Sequence, residues 1–187
     1  HVTNGVHLPT WMSAPMRALL DRHLAPDWIG HPADPWRWAA LDAIPDEELW
    51  AVRNELRAAL VTFVRERSVR DRLARGEPLD YVERAAGAFD PAVLTVGFAR
   101  RVASYKRLHL LVANAQRALA LLAGERPMQV VIAGKAHPLD DGAKRMVQAG
   151  VALQGAPVAG ARVGFLGDSD LAVGRMLGAG CAARVNP

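Results

Sequence analysis

The sequence has little cysteine, few tyrosine and phenylalanine residues, and no long hydrophobic run. It contains one cysteine, Cys181, in 187 residues, so it has no partner for an internal disulfide and lacks the ligands of a cysteine-based zinc site. Small residues surround Cys181, which predicts a core position rather than a nucleophile. No uncharged apolar stretch reaches the roughly 18 residues of a helical membrane span, and the first residues lack the pattern of a signal peptide. We therefore expect a protein of the reducing cytoplasm that does not bind membranes.

The charge pattern does not favour nucleic acid as a partner. The formal net charge is +4, and 22% of the residues are charged. Much of the basic excess is arginine along residues 53–75, where acidic residues interrupt it, and mixed signs of this kind are typical of an exposed helix face. The chain has only four phenylalanines and two tyrosines and no recognisable nucleic-acid-binding motif. Nucleic-acid binding is therefore not the favoured function.

The character of the chain changes near residue 91. Before that point prolines cut the sequence into short helical pieces, one of them over residues 12–24. An amphipathic pattern then predicts one long helix from Pro45 to about Gly76, where a glycine suits the carboxyl-terminal cap. We expect residues 1–91 to form a helical inter-domain or packing segment.

From residue 92 onward, strand patterns alternate with helix patterns. The predicted strands are residues 92–99, 129–133, 162–166 and 181–185, and the predicted helices are residues 108–123, 140–149 and 171–177. Continuously apolar runs predict parallel strands that are covered on both faces. Four such strands joined by three helices make most of a Rossmann-like, doubly wound α/β half domain, so residues 92–187 are expected to be a partial catalytic domain. An incomplete sheet leaves an apolar edge, which predicts self-association into a homo-oligomer.

The strongest candidate site follows the first predicted strand. Four cations, Arg100, Arg101, Lys106 and Arg107, occur within eleven residues that begin at Gly97. In doubly wound sheets ligands bind beyond the carboxyl ends of the strands. There Arg101 and Lys106 are expected to converge on one phosphate, together with backbone N–H groups at the start of a helix. Gly97 is expected to let the backbone approach the ligand. A solvated basic helix start is the alternative that the charge pattern leaves open.

The ends of the next two predicted strands carry further polar residues. Residues 134–138 read Gly-Lys-Ala-His-Pro, so Lys135 is expected to reach the same crevice and His137 to line it; exposed turn residues are the alternative. After the third strand, Asp168 or Ser169 is expected to cap the following helix. No metal site is predicted, because the segment lacks further clustered ligands.

Four segments resemble, in their order and spacing, the α-glucan phosphorylases, and among these the short bacterial and archaeal glycogen and maltodextrin phosphorylases. They are residues 3–11, 97–107, 134–138 and 162–166. The resemblance extends over essentially the whole chain and implies a retaining glycosyltransferase of the GT-B type, in which two Rossmann-like domains face a cleft. It implies phosphorolysis of α-1,4-glucan by inorganic phosphate to glucose 1-phosphate. It also implies pyridoxal 5′-phosphate as the cofactor, whose 5′-phosphate takes part in catalysis.

The resemblance implies roles for individual residues. Arg101 and Lys106 match the pair that holds the substrate phosphate beside the cofactor phosphate, and they are the implied catalytic residues. Arg100, together with Lys106, is expected to face the cofactor. Asn4 matches a residue that bonds a sugar hydroxyl, and Tyr105 matches one that contacts the glucosyl unit. The candidate substrate-binding residues are therefore Asn4, Tyr105, Lys135 and His137.

The chain is expected to be an internal fragment of such an enzyme. In the family, the lysine that forms the Schiff base with the cofactor lies in a glycine-rich segment that would follow Pro187. We therefore expect the anchoring lysine to be absent from this chain and the isolated chain to be inactive. Two alternatives stay open. A nucleotide-sugar-dependent glycogen or starch synthase also has an arginine and a lysine five residues apart after a strand, and a non-catalytic glucan- or anion-binding module needs no cofactor.

Overall fold

The division of the chain into two units falls inside its longest helix. The structure, a computed structural model, describes residues 5–111, 113–154 and 159–185. The two units are His1–Leu56 and Arg57–Pro187. The sequence pattern instead changes near residue 91, because strand signals begin there. The assignment of separate roles to the two sides of residue 91 stays a prediction.

The first unit is a small helical assembly around a tryptophan. Its elements are helices α1 (Leu8–Trp11) and α2 (Ala14–His23), 3₁₀ segments Trp28–Gly30 and Pro35–Ala43, and the start of α3 (Asp46–Ala74). Trp28 is fully buried; its ring meets that of Trp38 edge-on at 5.2 Å between centroids, and its indole N–H donates to Asp21 at 2.9 Å. The helix predicted over residues 12–24 is confirmed as α2.

The predicted long helix is confirmed as α3, which runs from Asp46 to Ala74. Its first turn is acidic, which suits the positive end of the helix dipole. Gly76 has φ +68°, and the N–H of Glu77 donates to the carbonyl of Arg72 at 3.1 Å, so the predicted glycine cap is present. A short helix that the sequence pattern did not predict, α4 (Leu79–Ala86), follows.

The second unit contains a parallel four-stranded sheet. Its strands are β1 (Leu94–Ala99), β2 (Met128–Ala133), β3 (Val163–Leu166) and β4 (Ala183–Arg184). The helices that connect them are α5 (Ala115–Ala123), α6 (Asp141–Leu153) and α7 (Leu171–Gly180). The strand order is β3-β2-β1-β4, and every pair is parallel. This order confirms the α/β class and agrees with a partial Rossmann-like fold, whose strand order reverses between β1 and β4.

The second half of α3 packs on one face of the sheet. Its buried residues Leu60, Val61 and Val64 belong to one apolar cluster with residues of β2, β3 and α7, including Cys181. This packing explains why α3 is divided between the two units. Cys181 is buried, as predicted.

Gly97 does not serve a ligand as the sequence predicted. It is buried in β1, and a Cβ at this position would lie 2.6 Å from the Sγ of Cys181 and 3.4 Å from Leu177. The close approach at this glycine is therefore between the strand and the end of α7. The prediction was wrong because a glycine in a strand indicates that another group packs closely against the backbone. The sequence does not show whether that group is a ligand or another part of the protein.

The helix predicted from residue 108 begins later than expected. Two 3₁₀ turns, Ser104–Lys106 and Leu108–Leu111, come first, and α5 starts at Ala115. Arg107, which lies between the two 3₁₀ turns, has a left-handed backbone with φ +49°, so the two turns do not join into one helix. The side chain of Asn114 then accepts the N–H of Arg117 at 2.9 Å and sets the start of α5.

Candidate active site

The loops that follow β1 and β2 continue side by side beyond the sheet. The N–H of Arg100 donates to the carbonyl of Ala133 at 3.2 Å, and the N–H of Val102 donates to that of Lys135 at 3.1 Å. Val102 and Ala136 also form a parallel bridge. The two cation-bearing segments therefore lie next to each other at the carboxyl edge of the sheet, as the sequence predicted.

Gly134 makes this close pairing possible. Its φ is +148°, and a Cβ there would lie 2.1 Å from the carbonyl oxygen of Arg100. A backbone atom cannot yield as the end of a flexible side chain can. Only glycine therefore fits where the two loops meet.

Tyr105 and Lys106 form the tip of the loop after β1. Two hydrogen bonds close the 3₁₀ turn. The N–H of Lys106 donates to the carbonyl of Ala103 at 2.9 Å, and the N–H of Arg107 donates to the carbonyl of Ser104 at 3.1 Å. The Tyr105 side chain is 72% exposed, and the Lys106 ammonium lies 4.7 Å from the centroid of its ring. A cation over the ring face is attracted by the ring quadrupole, so the two side chains form one unit, in which Tyr105 is exposed and Lys106 is half-buried.

Part of the backbone of this loop is already hydrogen-bonded within the protein. A helix start was expected to offer free N–H groups, but α5 begins only at Ala115. The N–H groups of Val102, Ser104, Lys106 and Arg107 donate instead to protein acceptors. These four N–H groups would therefore not help to hold a phosphate in this arrangement of the loop. Arg100 and Arg101 are both exposed there.

Lys135 is directed towards the loop that follows β3. Its ammonium lies 3.2 Å from the Oδ2 of Asp168, and both side chains are exposed. The hydrogen bond from Lys135, and then the N–H of Ser169, hold the pKa of the Asp168 carboxyl below its usual range. This ion pair links the ends of β2 and β3. The sequence placed the two residues at the same edge but did not predict that they pair.

His137 is exposed and takes part in a turn. Its Nδ1 accepts the N–H of Leu139 at 3.1 Å, which is the turn geometry that the sequence offered as the alternative to substrate contact. Its role as a substrate-binding residue stays a prediction. Asn4 lies outside the described residues, so its predicted contact with sugar stays a prediction as well.

The cap of α7 is Asp170, not Asp168 or Ser169 as predicted. Asp170 accepts the N–H of Val173 at 2.8 Å, and the Arg67 guanidinium donates to it at 2.9 Å. The Val173 N–H and then Arg67 lower the pKa of Asp170. The prediction failed because the helix begins at Leu171, so the residue immediately before it takes the cap.

Asp140 is a second capping aspartate, and sequence reasoning did not single it out. It accepts the N–H of Ala143 at 2.9 Å at the start of α6. It also accepts the hydroxyl of Ser104, 36 positions away, at 3.1 Å. The Ala143 N–H is the main cause of its lowered pKa, and Ser104 adds to it. An aspartate three residues before a helical N–H is a recognisable cap signal, but a partner so distant leaves no local signal.

The described residues offer neither a cluster of metal ligands nor a helical membrane span. Within the part of the chain that the structure describes, histidine, cysteine, aspartate and glutamate do not gather in threes as metal ligands. Among the described helices, none combines the length and apolar character of a membrane span.

The chain is similar to known proteins along almost its whole length. It is 43% identical over 187 residues to a glycogen phosphorylase of Mycobacterium tuberculosis, covering 99% of the chain and 21% of that protein. It is 36% identical over 172 residues to a glycogen phosphorylase of Aquifex aeolicus, covering 91% of the chain and 25% of that protein. Identity to a maltodextrin phosphorylase of Thermococcus litoralis is 31% over 150 residues, 79% of the chain and 17% of that protein.

The chain thus spans about a fifth of the length of the curated relatives it matches. A comparison with models of protein families finds no match.

Proposed function

The chain belongs to the glycogen and maltodextrin phosphorylase family, and we propose that it supplies the phosphate-holding part of an enzyme that cleaves α-1,4-glucan with inorganic phosphate. The similarity to glycogen phosphorylases along nearly the whole chain carries this proposal. Because the relatives are about five times longer, the activity is proposed for a larger enzyme of which the chain is a segment. The isolated chain is proposed to be inactive.

The proposed site lies at the carboxyl edge of the sheet, where the segments after β1 and β2 meet. Arg101 and Lys106 are proposed to hold the substrate phosphate, the arginine through its planar fork and the lysine as a compact charge. Both lie in the loop after β1, and its paired neighbour carries Lys135. In phosphorolysis the bond to the glycosidic oxygen breaks, that oxygen takes a proton, and a phosphate oxygen bonds to the anomeric carbon; the cations here would stabilise the negative charge of the phosphate as it attacks. Tyr105, largely exposed beside Lys106, is proposed to contact the glucosyl unit.

Pyridoxal 5′-phosphate is the proposed cofactor, and the donor set fits its phosphate end. Arg100 and Lys106 are cations in the loop after β1, and a phosphate monoester needs such donors. When bound, the cofactor would supply a second phosphate as an acid–base group. Two anions close together repel each other, and the cations of this loop would offset that repulsion. We propose that the covalent anchor lies outside this chain: Lys106 is assigned to the phosphates, and Lys135 and Lys144 pair with Asp168 and Asp141.

Three finer assignments complete the proposal. Residues 1–91 are proposed to be an inter-domain packing segment and residues 92–187 half of the carboxyl-terminal domain of a GT-B enzyme. The enzyme is proposed to work in the cytoplasm. Self-association is proposed through a sheet edge, since β3 and β4 stand at the two ends of the strand order. Sedimentation of the chain as a monomer at high concentration would contradict the last assignment.

The proposal is tested by transplanting the chain into a working enzyme. The corresponding segment of the M. tuberculosis glycogen phosphorylase is replaced by this chain, and release of glucose 1-phosphate from glucan is measured against phosphate concentration. We expect phosphate-dependent release. We expect Arg101→Met and Lys106→Met each to lower kcat/KM for phosphate by about 100-fold or more. Lys144→Met is the matched control, and it should leave the rate within about twofold.

Two outcomes would contradict the proposal. Transfer of glucose from a sugar nucleotide without any phosphate-dependent release would indicate an enzyme of the synthase type. Binding of glucan or phosphate with no turnover in the transplanted enzyme would indicate a non-catalytic module.

Reduction of the isolated chain with borohydride in the presence of pyridoxal 5′-phosphate tests the anchor separately. A stable adduct on Lys106 or Lys135, detected by intact mass and peptide mapping, would overturn its assignment outside this chain.

A further inference from the structure

We infer that Asp140 and Ser104 form a tether that positions the Tyr105–Lys106 turn, and that this tether sets the affinity for phosphate. The second half of the inference rests on the proposed function, and the first half does not. Asp140 stands at the start of α6, and Ser104 is the first residue of the turn. Neither is assigned a direct contact with substrate, so both are positioning residues.

The tether has two hydrogen bonds. The Ser104 hydroxyl donates to the Oδ1 of Asp140 at 3.1 Å, and the Ser104 N–H approaches Oδ2 at 3.4 Å. Oδ1 also accepts the N–H of Ala143 at 2.9 Å. One carboxylate thus holds both the first turn of α6 and the loop after β1. The loop residues that follow Ser104 are Tyr105 and Lys106, so a shift of Ser104 moves the proposed phosphate ligand.

Gly142 provides an independent sign that this contact is built into the fold. A Cβ at position 142 would lie 2.9 Å from the Ser104 hydroxyl and 3.4 Å from the Oδ1 of Asp140. A distance of 2.9 Å is closer than real Cβ contacts allow, so an alanine here would require the Ser104 hydroxyl to shift from its position beside Asp140. The space left by Gly142 is therefore the space that the tether occupies.

The tether can be separated from the charge of Asp140. Asp140→Ala deletes a negative charge near the proposed anion site, the helix cap and the tether together, so it mixes three effects. Ser104→Ala removes only the hydroxyl's bond to Asp140 and leaves the bonds from the N–H groups of Ser104 and Ala143 in place. Gly142→Ala displaces the hydroxyl, while alanine favours the helix over glycine. Gly142→Ala should therefore make α6 more stable and the Tyr105–Lys106 turn less ordered.

Amide hydrogen exchange of the chain tests the tether without reference to activity. The reporting amides are those of Lys106 and Arg107, which close the turn. Losing one hydrogen bond in Ser104→Ala or Gly142→Ala should speed their exchange by about 3- to 10-fold. The amides of β2 should be unaffected. Ser104→Thr, which keeps the hydroxyl, should restore slow exchange.

Asp141→Asn is the matched control, because it alters the neighbouring carboxylate, which pairs with Lys144 rather than with the loop. It should leave the exchange of the turn unchanged. Equal exchange rates in the parent chain, Ser104→Ala and Gly142→Ala would overturn the tether.

The transplanted enzyme tests the effect on phosphate. Ser104→Ala should raise the KM for phosphate by about 3- to 10-fold while kcat stays within about twofold, and Ser104→Thr should restore it. An unchanged KM in Ser104→Ala would overturn the link to affinity. If the transplanted parent chain shows no phosphate-dependent reaction, both the proposed function and the proposed effect of the tether on phosphate affinity are wrong. The exchange rates of the turn then still decide whether the tether exists.

Discussion

The ammonium of Lys135 lies 3.2 Å from the Oδ2 of Asp168, so a residue expected to meet an anionic ligand already meets an anion of the protein. The pair joins the loop after β2 to the loop after β3. A phosphate that used Lys135 would have to compete with this carboxylate. Both side chains are exposed, so the pair adds little to stability.

Removing the competing carboxylate should favour phosphate. In the transplanted enzyme, Asp168→Asn is expected to lower the KM for phosphate by about two- to fivefold, because Lys135 is released and a negative charge is lost. The double variant with Lys135→Met should lose this gain. Steady-state kinetics at varied phosphate checks both values. A KM that rises in Asp168→Asn would show that the pair holds the site in place rather than competing with it.

The ion pair of Arg67 with Asp170 should matter more for stability. Asp170→Ala removes the cap of α7 and one partner of Arg67, so we expect a loss of about 1–2 kcal/mol in the free energy of unfolding. Urea denaturation at pH 7 measures it. Asp168→Ala, two residues earlier and not a cap, is the control and should cost less than about 0.5 kcal/mol.

The same cap predicts a pH dependence. The pKa of Asp170 is lowered in the folded chain, by the Val173 N–H first and then by Arg67. Its contribution is therefore fully present above the ordinary aspartate range. It is lost as the pH falls through that range and then through the lowered pKa of the folded state. The parent chain should lose stability towards acid more steeply than Asp170→Asn. Equal slopes in the two chains would contradict the assignment.

Gly134 should tolerate no side chain. Gly134→Ala would place a methyl group against the carbonyl of Arg100 and force an unfavourable φ, so we expect a destabilisation of more than about 2 kcal/mol. Gly167→Ala is the matched control, because a Cβ there meets nothing within 4 Å. It should stay within about 1 kcal/mol of the parent chain. Thermal unfolding of the two variants compares them directly.

Gly97 and Cys181 should show coupled stability. Gly97→Ala is expected to cost about 1–3 kcal/mol, because its methyl group would meet the Sγ of Cys181. In a background of Cys181→Ala, which removes that sulfur, the same substitution should cost less. A double-mutant cycle on urea denaturation measures the coupling. Simple additivity of the two changes would contradict the contact.

The elements of the sheet could be predicted from sequence because their signals are local. Apolar runs such as 130–133 predict a buried strand to within a residue or two, and an amphipathic pattern of nearly thirty residues predicts α3. The shift from Asp168 to Asp170 as the cap of α7 arose because a cluster of capping residues does not mark which one precedes the helix. The late start of α5 arose because Asn114 caps the helix at Ala115, and the apolar pattern from residue 108 does not distinguish a 3₁₀ turn from the α-helix that follows it.

The sequence predicted where the candidate site residues lie in the fold, but it did not predict which of them form pairs with other side chains. The spacing of Arg101 and Lys106, and their repetition by Lys135 after the next strand, placed three cations at one edge of a parallel sheet. The bonds of Lys135 to Asp168 and of Ser104 to Asp140 join residues more than thirty positions apart. Such contacts depend on how loops fold back on one another, and a single sequence carries no periodic signal for them.

The bridge between Val102 and Ala136 has a further consequence. Because the backbones stay paired past the ends of β1 and β2, the distance between the two cationic segments is set by the spacing of neighbouring strands, about 4.8 Å. An arriving ligand would not have to bring these backbones together. The conformational entropy of these two backbones is therefore lost when the chain folds and not when a ligand binds. Most of the binding free energy from the cations would then remain available as affinity.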